Sequence, residues 1–287
     1  MEPIFDTQLA IARKRRALNQ AEPDADFLLN RAAEDFADRL DSVERKFPRA
    51  AVLFSLTDAA PAAIRSSGKV ETVERVESDM AFLRESGIRA EPETVPLDPE
   101  SLDLAVSLYA LQEMNDVPGM LVQIRRALRP DGLFLGCMMG AGTLAELRES
   151  LLEAETELVG GASPRVAPFA DVRDVGALLQ RAGFALPVAD LEEVVVRYDN
   201  MFALMRDLRA MGATNSLTAR SRKPATRRLF MRAAEIYAER FSDPDGRIRA
   251  TFATIWLSGW APHASQQKPL KPGSATVSLA KILGSEK

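Results

Sequence analysis

The stretch SLDLAVSLYALQEMNDVPGMLVQIRRALRPDGLFLGCMM, Ser101 to Met139, decides the fold. Leu102–Leu108 is apolar apart from one acid and one serine, the pattern of a strand buried on both faces. Val117–Leu128 follows with helical spacing, and Pro118 suits a first turn, where its missing N–H is not needed. Pro130-Asp131-Gly132 is a turn and Leu133–Met139 a second buried strand. Two strands joined through a helix run parallel, with a right-handed crossover.

The same alternation extends toward the N-terminus. Ala50–Ser55 reads as a strand, Pro61–Ser66 as a weak helix and Val70–Val76 as a strand. Ser78–Ser86 is helical, with Ser78 or Asp79 as its cap, and Ala90–Val95 is a third strand. The reading is therefore an α/β chain with a mostly parallel central sheet. Ahead of the sheet, Leu28, Leu29, Ala32, Ala33, Phe36 and Leu40 line one face of a helix over Phe27–Leu40. Beyond it come helices at Thr143–Val159, Val172–Ala182, Phe202–Met211 and Thr226–Phe241. Strands are expected at Val194–Tyr198 and Phe252–Trp260, and the segment after Pro262 reads as a surface tail. This predicts an N-terminal helical extension over 1–45, an α/β core over 46–200, and C-terminal helices, a last strand and the tail over 201–287.

Composition bounds the function. With 287 residues, 46% hydrophobic and 27% charged, the chain can bury a sizeable core. A net charge of −4 offers no general basic field, so no nucleic-acid partner is expected. The single cysteine, Cys137, excludes an intrachain disulfide framework. The single histidine, His263, excludes an intrachain two-histidine iron site or a multi-histidine zinc site, and no metal is expected. The opening Met-Glu-Pro-Ile-Phe-Asp has no apolar core of a signal peptide. The longest apolar stretch, Gly132–Gly142, is too short to span a bilayer. No transmembrane segment is expected, and the expected location is cytoplasmic.

Specific motifs go further. Ser107-Leu108-Tyr109-Ala110-Leu111-Gln112 is followed by Asn115-Asp116-Val117-Pro118, then by Ile124-Arg125-Arg126-Ala127-Leu128-Arg129-Pro130-Asp131-Gly132. Later come Gly142-Thr143-Leu144, Gly160-Gly161-Ala162-Ser163-Pro164, Pro168-Phe169, Leu204-Met205-Arg206-Asp207-Leu208 and Met211-Gly212. Gly259-Trp260, His263, Ser265-Gln266 and Gly273-Ser274-Ala275 close the chain, and Ile4-Phe5-Asp6 fits at its start. In these residues the sequence resembles the methyltransferase-like complex I assembly factors, a family that includes a mitochondrial protein arginine hydroxylase and close bacterial relatives. The resemblance covers nearly the whole chain and implies the Rossmann-like class I methyltransferase fold, whose cofactor is S-adenosylmethionine.

The resemblance breaks at the cofactor loop. Class I methyltransferases follow their first strand with glycines, because a Cβ there would intrude on the methionine part of the cofactor. Here the preceding acidic position falls on Val52, and the three glycine positions fall on Phe54, Leu56 and Asp58. Phe54 and Leu56 are expected to fill the pocket themselves, leaving no cleft at the end of strand one. Each large side chain in a close-packed site costs about 1–3 kcal/mol. The resemblance places the ribose-holding acid at Glu74 or Glu77 and the adenine-edge acid at Glu91, with Leu108 as a further family position. A surface acid is the competing reading for each. Glu113 stands where the family often carries tryptophan.

Tyr109, Glu113 and Gly140 fall at carboxyl ends of strands, the edge where open α/β sheets bind ligands. His263 is either a base or substrate contact in that cleft or an organiser of the tail. Cys137 reads as a buried, inert thiol. Arg13-Lys14-Arg15-Arg16 and the loop Ala219–Lys223 are either docking surfaces for an acidic partner or solvated segments. No catalytic residue stands out. The expectation is a pseudoenzyme with no cofactor that binds a protein, by resemblance a respiratory complex I subunit or assembly intermediate. The alternative is an active enzyme that uses S-adenosylmethionine to transfer a methyl group or modify an arginine.

Overall fold

The computed structural model describes residues 2–83 and 86–267. Gly273-Ser274-Ala275 and most of the expected tail lie outside the described residues. Among the described residues, seven strands form one sheet in the order β3-β2-β1-β4-β5-β7-β6. They are β1 Arg49–Leu53, β2 Thr72–Glu77, β3 Ile88–Arg89, β4 Leu102–Leu108, β5 Leu128–Met139, β6 Ala185–Tyr198 and β7 Ile248–Trp260. The first five pair in parallel; β7 runs antiparallel between β5 and β6.

Nine helices complete the described chain: α1 Thr7–Gln20, α2 Phe27–Asp41, α3 Ala59–Ser66, α4 Met80–Leu83, α5 Val117–Ala127, α6 Ala145–Val159, α7 Val172–Arg181, α8 Met201–Ala210 and α9 Arg227–Phe241. One face of the sheet packs against α2 and α3 through Phe36, Leu40, Ile64, Val52 and Val106. The opposite face packs against α5 and α7 through Leu121, Ile124, Val175, Leu179 and Phe134. Strands buried on both faces must be apolar throughout, which is why β1 and β4 read as continuous runs.

A third core lies beyond the carboxyl ends of the parallel strands. β5 ends at Met139, opposite Thr254, so Ile248–Ala253 of β7 and Glu193–Tyr198 of β6 project past it as a two-stranded ribbon. Ile248, Ala250 and Phe252 pack there with Leu147, Leu204 and Tyr237 from α6, α8 and α9.

Three elements depart from the expected ones. β3 is Ile88–Arg89 rather than Ala90–Val95, because Pro92 and Pro96 remove ladder donors. Pro130-Asp131-Gly132 lies within β5 as an irregularity: Asp131 has φ +65° and the register with β4 shifts there. β6 is 14 residues long, not the five of Val194–Tyr198; the shift between Ala185 and Val188 carries Pro187 at the sheet edge. The helix expected over Ser78–Ser86 is α4, whose start Asp79 caps by accepting from Ala81 N at 2.9 Å.

Candidate functional site

β1 ends in a loop whose backbone keeps an unusual shape. Phe54 and Leu56 have φ of +56° and +45°, the left-handed region that glycine enters at no steric cost. Phe54 N donates to Val76 O at 2.8 Å, and Ser55 Oγ accepts from Leu108 N at 2.9 Å, fixing the loop between β2 and β4. The glycine-like conformation is present without the glycines.

A cavity of about 530 Å³ opens at this carboxyl edge. Phe54, Leu56, Leu108, Tyr109 and Glu113 border it. The N-terminal helices roof it through Lys14 and Ala17 of α1 and Leu28 and Leu29 of α2; Leu147 of α6 and Met205 of α8 wall its far side. Phe54 and Leu56 therefore line a cleft instead of abolishing it, which corrects the expectation of a filled pocket. The lining is mostly apolar, and the volume is in the range of small-molecule sites.

The acids expected to hold the cofactor do not border this cavity. Glu74 and Glu91 are exposed, and Asp58 pairs with Arg65 at 3.3 Å. Glu77 ends β2 but is turned inward and buried, with Arg75 Nη2 3.3 Å from its Oε1. The same guanidinium nitrogen lies 3.3 Å from Thr57 O, in the loop after β1. Arg75 thus bridges the loop after β1 and the acid that ends β2, the position of the ribose-holding acid in an S-adenosylmethionine site. Burial pushes the Glu77 carboxyl up to about 7 against the opposing pull of Arg75 and Lys14. The residues present do not fit the usual mode of holding this cofactor.

Tyr109 has φ +52°, and its hydroxyl lies 2.8 Å from Thr254 Oγ1. Burial raises its pKa, so it stays a neutral phenol. Glu113 forms an ion pair with Lys14. Gly140 lies off the cavity: a Cβ there would meet Ile255 Cγ1 at 2.6 Å, so its role is packing against β7. His263 is at the wrong edge for the cleft. β7 is antiparallel and ends at Trp260 opposite Leu133, near the amino end of β5. There His263 Nδ1 lies 2.6 Å from Ser265 Oγ, and its N–H donates to Gln266, which in turn donates to Asp131.

The basic run of α1 latches the helix down through Arg13, Lys14 and Arg15, with Arg15 and Arg16 still exposed. Arg13 donates to Asn215 O, Lys14 meets Glu113 and Arg15 pairs with Asp79. In the basic loop, Arg220 holds Asp6 at 3.0 Å. Sequence reading missed Asn115 and Glu93. Asn115 Oδ1 accepts from Phe5 N at 2.8 Å, while Glu93 accepts from the backbone N–H groups of Asn115 and Asp116. The available signal was Pro92 and Pro96, which argue against a strand at Glu93 and leave its carboxylate free for backbone N–H groups.

A methyltransferase-domain family profile matches residues 57–136. The chain is 37% identical over 299 residues to "Arginine-hydroxylase NDUFAF5, mitochondrial" of Homo sapiens, covering 97% of this chain and 83% of that protein. It is 34% identical over 228 residues to a malonyl-[acyl-carrier protein] O-methyltransferase of Laribacter hongkongensis, covering 79% of this chain and 73% of that one. The crystal structure of BH2331 from Bacillus halodurans superposes with a TM-score of 0.55 at 12% identity, over 80% of this chain and 98% of its own. That last likeness is one of fold.

Proposed function

The chain belongs to the arginine-hydroxylase NDUFAF5 family of methyltransferase-fold proteins, and from that premise we propose that it is a protein-binding factor in respiratory complex I assembly that has lost S-adenosylmethionine binding. The observation that carries the loss is the buried Arg75–Glu77 pair. Freeing Glu77 for a ribose would break the buried pair and leave the Arg75 guanidinium with Thr57 O and the half-exposed Asp58, 3.7 Å from its Nη1, at a cost of up to about 3–5 kcal/mol. The side chains of Phe54 and Leu56 on the cofactor side of the loop act in the same direction.

In this reading the cavity receives apolar side chains of the partner protein, with Tyr109 and Glu113 at its floor. Part of the same proposal is a cytoplasmic location, whereas the human relative is named mitochondrial. No helix among the described residues is long and apolar enough to cross a membrane.

A second reading is an active enzyme using S-adenosylmethionine through a rebuilt loop. The cavity favours it, because Phe54, Leu56 and Leu108 border open space. Calorimetric titration with S-adenosylmethionine, and in parallel S-adenosylhomocysteine, separates the two. No heat up to millimolar ligand supports the binding-factor reading; micromolar affinity for either overturns it. Capture of complex I subunits by the immobilised protein then tests the partner.

A further inference from the structure

The sheet ends at β6, whose outer edge has no partner among the described residues. A strand of this length is unusual at an edge, since a row of unpaired N–H and C=O groups is a template for another strand. The Pro187 end is protected by its irregular register, but from Val188 to Tyr198 the pairing with β7 is regular. The stretch Glu192–Tyr198 lies mostly in the projecting ribbon. Leu191, Glu193, Val195 and Arg197 of β6 share one face, with Val195 52% and Leu191 43% exposed. The other face is covered: Arg31 of α2 reaches Glu192 at 2.7 Å, and Val196 and Tyr198 pack into the third core.

We propose that this edge is a homodimer interface, in which β6 of one protomer pairs antiparallel with β6 of a second copy about a two-fold axis at Val195.

The register follows from charge. Centring the axis on Glu193 would set Glu193 against Glu193. Centring it on Val194 would set Glu193 against Val195 and Arg197 against Leu191. With the axis at Val195, Glu193 faces Arg197 twice, Val195 faces Val195 and Val194 faces Val196. Directly opposed residues of an antiparallel pair lie on one face, so each of these pairs is in contact. Arg197 uses Nε on Asp243 at 2.7 Å and Nη2 on Asp245 at 2.5 Å. Its Nη1 makes no hydrogen bond among the described residues and can donate to the facing Glu193. Glu193 forms no salt bridge within the protomer among the described residues. The contact is isologous and closes on itself, so it yields a dimer and not a fibre.

Sedimentation velocity of the full chain across a concentration series tests this, with circular dichroism confirming that each variant is folded. The wild type is expected to show a monomer–dimer equilibrium. Glu193→Arg, which sets Arg against Arg197 twice, is expected to weaken the dimer about tenfold or more. Val195→Lys, which sets like charges across the axis without touching the Asp243 and Asp245 contacts, should give monomer. A wild type that is monomeric at every concentration overturns the proposal. So does a dimer indifferent to Glu193→Arg or to Val195→Lys.

Discussion

Phe54 and Leu56 each hold a left-handed backbone, which costs an ordinary residue about 1–2 kcal/mol. They differ in what their side chains return. Phe54 is 8% exposed and belongs to the main core, whereas Leu56 is only half-buried. Leu56→Gly is expected to change stability by less than about 1 kcal/mol, because relief of backbone strain offsets the added freedom of the unfolded chain. Phe54→Gly should lose about 2–4 kcal/mol, the cost of an emptied aromatic site less the same relief. Urea unfolding of the two variants measures both. Glu77 makes a pH-dependent prediction. Its folded pKa of about 7 lies above that of an exposed glutamate, so the folded state binds the extra proton. Its contribution to stability is therefore greatest at low pH and declines as pH rises from about 4.5 to 7. Relative to Glu77→Gln, the wild type should lose up to about 3 kcal/mol across that window, read from unfolding midpoints at several pH values.

The N-terminal arm shows the same logic in whole elements. Phe5 forms an isolated antiparallel bridge to Leu217, Asp6 N donates to Ser216 O at 2.8 Å, and Asn115 holds Phe5 from the other side. α1 is positioned by these ties, and the cavity roof with it. Asn115→Ala removes the acceptor for Phe5 N and should cost about 1–3 kcal/mol. Hydrogen exchange should locate the loss, with protection falling at residues 5–10 while β4 and β5 keep theirs. How much of this was legible depended on strand environment. β1, β4 and β5 carry apolar runs because both faces are buried, and their ends marked Leu108, Tyr109 and Glu113 for the cleft. β6 was read short because Asp190, Glu192 and Glu193 on an open edge look like a loop. The sequence leaves His263 between the cleft and the tail because nothing local reports strand direction; β7 is antiparallel, so His263 bonds to Ser265 and Gln266 of the tail instead. The partnership of Arg75 with Glu77 was hidden for a similar reason. Two charges spaced by two residues look like a solvated strand face until the neighbouring loop folds over them.

At the scale of the molecule, Cys137 offers a reporter of global opening. It lies in β5 between β4 and β7, fully buried, and burial pushes its thiol far above the usual range. A water-soluble disulfide reagent should leave the native protein unmodified on the timescale that labels an unfolded thiol in seconds. The labelling rate should rise with denaturant in step with global unfolding and not with loop motion. Early labelling in native buffer would contradict the burial described for β5.

The strand order has a further consequence, for synthesis. The last strand among the described residues, β7, is not at the rim of the sheet but inside it, between β5 and β6. A nascent chain leaving the ribosome can assemble β1 through β5, yet β6 has no place to bond until residues 248–260 emerge. During that interval β5 carries an open, apolar edge and the third core has no floor. The final strand therefore acts as a keystone. Chains cut short before Trp260 should be recovered as aggregates or chaperone complexes, while chains that include β7 close in one late step.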